Sequence, residues 1–242
     1  YGNMPTITDE VKQTDLANTY SLSDGLLDGS ARRVAQYVYN GNYGSNKVKF
    51  GAYYGGSSKR NIKNVDLKNN RKNTWGTGLI FNHEIDSIQN VTVAAGFTRQ
   101  ISENANKTVY YSNAYALGLA YNSVHTTYGL DLAHKDTKNK GGAGNKVKNN
   151  EVTAVIRQGL NEDWNVYAMY SYKTEKTLPA GSAYSKSTDR QFLVGTEYYV
   201  FKQGSVKVKP FIEWQATRTK YENSAVDRSR DFKTVIGLRA YW

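Results

Sequence analysis

From residue 32 onward the chain alternates apolar and polar positions in eleven segments: 32–39, 47–54, 74–82, 91–99, 111–121, 126–134, 151–158, 165–173, 191–200, 206–216 and 232–242. Val48, Phe50, Ala52 and Tyr54 face one way, and Lys47, Lys49, Gly51 and Tyr53 the other. Trp75, Thr77, Leu79 and Phe81 oppose Gly76, Gly78 and Asn82, and Val91, Val93, Ala95 and Phe97 oppose Thr92, Ala94 and Gly96. In the last segment Phe232, Ile236, Leu238, Ala240 and Trp242 share a face with Thr234, against Lys233, Val235, Gly237, Arg239 and Tyr241. A period of two over such lengths predicts strands, and no helical run competes with it. The fold class expected is all-β.

One face of each strand is apolar and aromatic; the other is small, polar or charged. A soluble sandwich would join the apolar faces in one core. A transmembrane antiparallel β-barrel would turn them to lipid and line a wet interior with the other face. The connections separate the two. Short ones (40–46, 83–90, 122–125, 159–164, 201–205) alternate without a break with long ones (55–73, 100–110, 135–150, 174–190, 217–231). Outer-membrane barrels have tight periplasmic turns at one rim and long external loops at the other, whereas a soluble sheet has no reason to sort its loops by end. The barrel reading is therefore taken, with residues 32–242 as strands, periplasmic turns and external loops, and 1–31 as a separate segment arriving from the external side. Eleven strands put the first and last parallel, while bacterial single-chain barrels have an even antiparallel count. An odd number of strands before Tyr1 is thus expected.

Composition fits this picture. Of the aromatic residues 20 are Tyr and 4 are Trp. Several sit in pairs at strand ends: Tyr53-Tyr54, Tyr110-Tyr111, Tyr198-Tyr199 and Tyr241-Trp242. Amphipathic rings settle at the lipid–water boundary; the competing reading is ordinary cross-strand packing. Cysteine is absent, which excludes a disulfide framework and thiolate sites. Mean hydropathy is −0.67 and no run reaches the length of a transmembrane helix.

The net charge of +11 admits nucleic acid, an anionic membrane surface or acidic solutes as partners. Two long loops carry much of it: Lys59, Arg60, Lys63, Lys68, Arg71 and Lys72 in one, and Lys135, Lys138, Lys140, Lys146 and Lys148 in the other. They have almost no interleaved aromatics, so nucleic acid is not expected. Attraction of lipopolysaccharide or of anionic solutes is one reading, and a plain solvated loop the other. The "GGAG" at 141–144 lacks the Lys-Ser/Thr and helix of a phosphate loop. His83, His125 and His134 lack metal-ligand spacing, so no metal or cofactor is expected. No nucleophile–base arrangement can be argued, and the chain is not expected to be an enzyme.

By alternation, Lys49, Asp131, Arg157, Glu197, Glu213, Lys233 and Arg239 point inward as pore-lining residues. A charge facing lipid costs about 2–4 kcal/mol at mid-membrane for Arg or Lys, and ionised groups around a narrow pore bias passage.

"LNEDWNVYAMYSYK" (160–173), "QFLVGTEYYVF" (191–201), "VKPFIEWQATRT" (208–219) and "FKTVIGLRAYW" (232–242) resemble strands of the Gram-negative general diffusion porins, nearest the major trimeric porins of the Haemophilus-like group. "YGNMPTITDEV" through "SLSDGLLDGSARRVAQYVY" (1–39) resembles the third loop of that family and the strand leaving it, with "PTITDE" in place of the usual "PEFGG". The resemblance implies an outer-membrane protein with these eleven strands as part of a sixteen-stranded barrel, assembled as a homotrimer. It further implies a water-filled channel for passive diffusion of ions and small hydrophilic solutes. Carried over, Asp9 and Glu10 are constriction acids facing Arg32 and Arg33, and Trp242 is the terminal aromatic read by the outer-membrane assembly machinery. Lipid and lipopolysaccharide are the remaining partners. The alternatives are a smaller monomeric barrel channel specific for acidic oligosaccharides, and a structural or adhesin barrel with a plugged lumen.

Overall fold

A computed structural model describes residues 3–23, 25–59, 70–103, 109–139, 146–179, 181, 183–225 and 227–242. Arg60, Lys63, Lys68, Lys140 and the 141–144 tip lie outside them. Eleven long strands follow one another: β1 (Val34–Tyr43), β2 (Asn46–Gly55), β3 (Asn70–Glu84), β4 (Asn90–Glu103), β5 (Val109–Asn122) and β6 (Thr126–Asn139). After these come β7 (Lys146–Gly159), β8 (Trp164–Leu178), β9 (Ser185–Tyr198), β10 (Val206–Glu222) and β11 (Arg228–Tyr241). Each pairs antiparallel with the next, so the sheet is a meander in chain order. A short strand, Phe201–Gln203, hairpins onto the start of β10. A separate two-stranded pair joins Asn3–Pro5 to Ser30–Arg32.

The strands reach further than the alternation indicates. The segment expected at 217–231 as a loop, for example, is strand to Glu222 and again from Arg228. The reason is physical. A bilayer demands an apolar face over only about 9–11 residues. Beyond the lipid both faces are wet, alternation fades, and the backbone ladder continues all the same. At the opposite rim the turns are tight; Gly44-Ser45 closes β1 onto β2, with Gly44 at φ 60°. That conformation is open to glycine and favours a two-residue hairpin.

Register fixes the two faces. On the convex side Phe50, Leu79 and Leu117 belong to one cross-strand row, and Val93, Tyr170, Phe192 and Phe232 to the next. All seven are exposed, as are Trp75, Trp214, Ile212, Ile236 and Leu238. So large an apolar surface open on one side of a sheet has lipid as its natural solvent. Trp242 is 93% exposed, beyond the end of β11.

The concave side is covered by the chain itself. Residues 3–23 and 25–31 form a strap laid across it. Its first limb begins with a 3-10 turn (Ile7–Val11) packed on β2, β3, β4 and β5. It continues to side chains of β6, β8, β9 and β10, then doubles back. Leu22 packs with Val155, Tyr167, Met169 and Leu193; Leu27 with Val11, Ala94 and Ala114; Ala31 with Ile7 and Tyr53. Burying a side chain such as Leu22 contributes about 1.5–3 kcal/mol.

A charge on the convex face tests this arrangement. Leu117→Arg, at the middle of β5, is expected to lower unfolding free energy in lipid vesicles by about 2–4 kcal/mol. Denaturant titration followed by Trp fluorescence measures it; an effect below about 0.5 kcal/mol would contradict a lipid-facing position.

Candidate functional site

The site is the seam between strap and wall. Three inward carboxylates hold the first limb. Asp131 on β6 accepts the N–H of Gln13 at 2.8 Å, the N–H of Thr14 at 3.0 Å and the Thr14 hydroxyl at 2.5 Å. Glu213 on β10 is fully buried. It accepts the N–H groups of Asn18 (2.5 Å), Thr19 (3.0 Å) and Tyr20 (3.2 Å), and the Tyr167 hydroxyl at 2.6 Å. Glu197 on β9 accepts the Asn18 side-chain amide at 2.8 Å and pairs with Lys209 and Arg157, each at 2.5 Å. An irregular segment cannot satisfy its own amides, and a buried carboxylate needs donors. Each supplies what the other lacks.

Small residues on the wall let the strap approach. A methyl group at position 118 would overlap the Val11 carbonyl oxygen, and one at 129 would lie 2.6 Å from that of Gln13. Gly118 and Gly129 are therefore close-approach glycines. The two limbs are also tied to each other. Thr6 and Thr8 hydroxyls donate to the Asp28 carbonyl at 3.0 and 2.8 Å, the Thr6 N–H donates to that of Gly29 at 3.0 Å, and Lys12 donates to Ser21 at 2.7 Å. A cavity of about 270 Å³ remains between strap and wall, lined in part by Asp9, Lys12, Asp15 and Asp131.

The residues singled out in the sequence fall as follows. Lys49, Asp131, Arg157, Glu197, Glu213, Lys233 and Arg239 all lie on the concave face by register. Glu10 pairs with Lys49 at 2.5 Å. Lys233 pairs with Asp231 at 2.9 Å. Asp9 lies against Gly29, and burial holds its carboxyl above the ordinary carboxylate value while Lys12 opposes the shift. Arg32 ends the short strand beside Asn3, and Arg33 is exposed with φ 52° and donates to Ser57 at 3.3 Å. Among the described residues no hydrogen bond or ion pair joins Asp9 or Glu10 to Arg32 or Arg33. Sequence reasoning missed Lys209, Tyr167 and the strap residues Thr14 and Asn18. It also missed that the wet face carries an apolar patch of Val155, Met169 and Leu193. The signal was present: these apolar residues share parity with Arg157, Ser171 and Glu197. Apolar side chains on a polar face need a cover.

No family model matches the chain, and no curated protein matches it. Among solved structures, a loop L8 deletion mutant of OmpT, an outer membrane protein of Vibrio cholerae, matches all of this chain and 74% of its own, at TM-score 0.66 and 16% identity. In-vitro folded OmpT in a structure described as a trimer form matches all of this chain and 76% of its own, at TM-score 0.64 and 16% identity. An anion-selective porin from Comamonas acidovorans matches 88% of this chain and 59% of its own, at TM-score 0.57 and 14% identity. At these identities the likeness carries the fold alone.

The likeness to OmpT corrects several expectations. The assignment to the trimeric diffusion porins of the Haemophilus-like group is overturned, and with it passive diffusion of small solutes, the homotrimer and the sixteen-strand arrangement. The exclusion of an enzyme is withdrawn on the same comparison. These expectations rode on strand wording that many outer-membrane barrels share for physical reasons. What stands is the fold and its place: the chain is an all-β transmembrane barrel protein, multi-spanning, of the outer membrane of a Gram-negative bacterium.

If the carboxylates anchor the strap, their removal acts locally. Asp131→Ala is expected to cut amide hydrogen-exchange protection at Gln13 and Thr14 by about tenfold or more, since hydrogen bonds to a charged group contribute about 1.5–3 kcal/mol. Asn18, Thr19 and Tyr20 should keep theirs. Equal loss along the whole limb would mean that the strap docks as one unit on its apolar contacts.

Proposed function

We propose that the chain is a strap-lined outer-membrane channel selective for elongated acidic saccharides. The observation that carries this reading is the use of the wall's acids as anchors. Asp131, Glu197 and Glu213 are almost fully buried and spend their charge on strap donors and on Lys209 and Arg157. Their negative field is thereby withdrawn from the open lumen. Arg239 and Lys233 on β11 stay exposed on the concave side, and the chain as a whole carries +11. Confined water between low-dielectric walls magnifies such an excess.

In this mechanism the strap narrows the lumen so that an extended chain passes in file. Asp9 and Glu10 with Arg32 and Arg33 form the strap's contribution to the narrow part. Arg239 and the exposed Lys233 supply contacts for carboxylates or sulfates, while Lys49 and Arg157 are held on Glu10 and Glu197. The hairpin ends bearing the longer connections face outward, and the tight turns face the periplasm. The anion-selective character given in the description of the Comamonas acidovorans porin agrees with the sign of the charge.

A second reading is a structural or adhesin barrel. It is favoured by the strap's reach from β2 to β10, which fills much of the concave face. One experiment separates the two. In planar bilayers the channel is expected to conduct, with a reversal potential favouring anions. An acidic hexasaccharide should block current at concentrations at least about tenfold below a neutral one of equal length, a difference of about 1.4 kcal/mol. Absence of conductance would support the structural barrel, and a cation-favouring potential or equal block by the neutral sugar would sink the acidic-saccharide reading.

A further inference from the structure

The convex face carries a cation cluster that the barrel itself does not explain. Arg190 on β9 stands directly opposite Arg218 on β10, and Arg218 directly opposite Arg230 on β11. Tyr172 on β8 completes the row beside Arg190. One step further from the membrane centre, Lys220 stands opposite Arg228. Arg190, Arg218, Lys220 and Arg230 are exposed, and among the described residues no hydrogen bond or ion pair engages them. The nearby convex acids are committed elsewhere: Glu222 to Lys186 at 3.2 Å and Asp227 to Arg228 at 3.4 Å. Asp189 and Asp231 are sequence neighbours, but alternation puts them on the concave side. Like charges directly opposite one another weaken a sheet. Three guanidinium groups in one row therefore require an anion to make sense.

Position says what kind of anion. The row next toward the membrane centre is Tyr170, Phe192, Ala216 and Phe232. The guanidinium groups thus sit one strand step, about 7 Å, above aromatic lipid-facing residues. A place just beyond the aromatic lipid-facing residues fits the headgroup level, where Tyr gathers and long basic side chains reach with their charged ends. Lower on the same strands lies an apolar groove of about 600 Å³, lined on the convex side by Ile156, Val166, Ala168, Val194, Ile212 and Trp214. Val194 is four residues below Arg190 along β9, about 13 Å at strand rise. Small Ala168, between Ile156 and Val194 in register, leaves the depression. A phosphate site and an acyl-chain groove are therefore stacked on one set of strands.

We infer that this face binds one phosphate-bearing lipid of the external leaflet, with its phosphate on Arg190, Arg218 and Arg230 and an acyl chain in the groove below. The choice of leaflet rests on the orientation proposed above; the site itself rests only on the barrel fold. Arginine suits the task, because its planar fork takes two phosphate oxygens at once.

The test uses the full chain folded in detergent, with bisphosphoryl lipid A as probe and native mass spectrometry as readout. The wild type is expected to retain one lipid A. R190Q/R218Q should weaken retention by about tenfold or more, given the attraction each basic residue near an anionic lipid supplies. R190K/R218K should restore part of it. A168F, which fills the groove without touching charge, should weaken it too. K202Q/K207Q, an equal charge loss at the opposite rim, should leave it unchanged. Folding of each variant is checked independently by heat-modifiable migration in gels. Retention unchanged in folded R190Q/R218Q would overturn the inference. So would displacement of lipid A by millimolar inorganic phosphate alone, which would make the cluster a free-anion site. Phosphatidylglycerol retained in place of lipid A would overturn the choice of lipid while leaving the acidic-saccharide reading of the lumen untouched.

Discussion

A buried carboxylate must be given donors, and in this barrel the donors come from a segment that has no other way to satisfy its backbone. Glu213 takes three consecutive amides of the strap and the Tyr167 hydroxyl; Asp131 takes two amides and a hydroxyl. Without the strap these acids would face one another's field and a partly apolar wall. Without the acids, residues 13–20 would leave amides unpaired against Met169 and Leu193. Removing one partner of such a pair strands the other, which costs more than the pair itself contributes. Wall and strap are thus conditional on each other, and the shape of the lumen follows from that dependence.

The sheet meets two solvents at once. Its convex residues need only be apolar and of moderate size, so Val, Leu, Phe and Tyr exchange freely there from strand to strand. Its concave residues answer to specific neighbours. Gly118 and Gly129 are small because a backbone lies on them, and Val155, Met169 and Leu193 are apolar because Leu22 covers them. Charge is sorted by the same logic. Acids gather inside, held by strap donors and by Lys209 and Arg157 of the wall, while Arg190, Arg218 and Arg230 stand on the convex face.

The division explains what could be read from the chain. Strands and faces were legible because lipid imposes period two on every spanning segment, and the inward parity of Asp131, Glu197 and Glu213 followed directly. Strand ends were not, because alternation fades where both faces are wet. The path of the strap was hidden for a different reason. Its partners lie up to 195 positions away, and its own sequence has no period to betray a direction. The family-level reading failed at a third point. Alternating apolar residues are a demand of the membrane, met by many barrels, so they carry fold more than lineage.

The docked strap is the central claim, and the absence of native cysteine makes it directly testable by disulfide trapping. Leu22→Cys would be combined in turn with Met169→Cys and Leu193→Cys, its neighbours in the packed cluster, and with Thr98→Cys on β4 as a distant partner. In the folded barrel in vesicles, oxidation is expected to cross-link residue 22 to at least one of the two cluster positions and not to position 98. A strap that cross-links to neither cluster position, or equally to all three, would contradict the account.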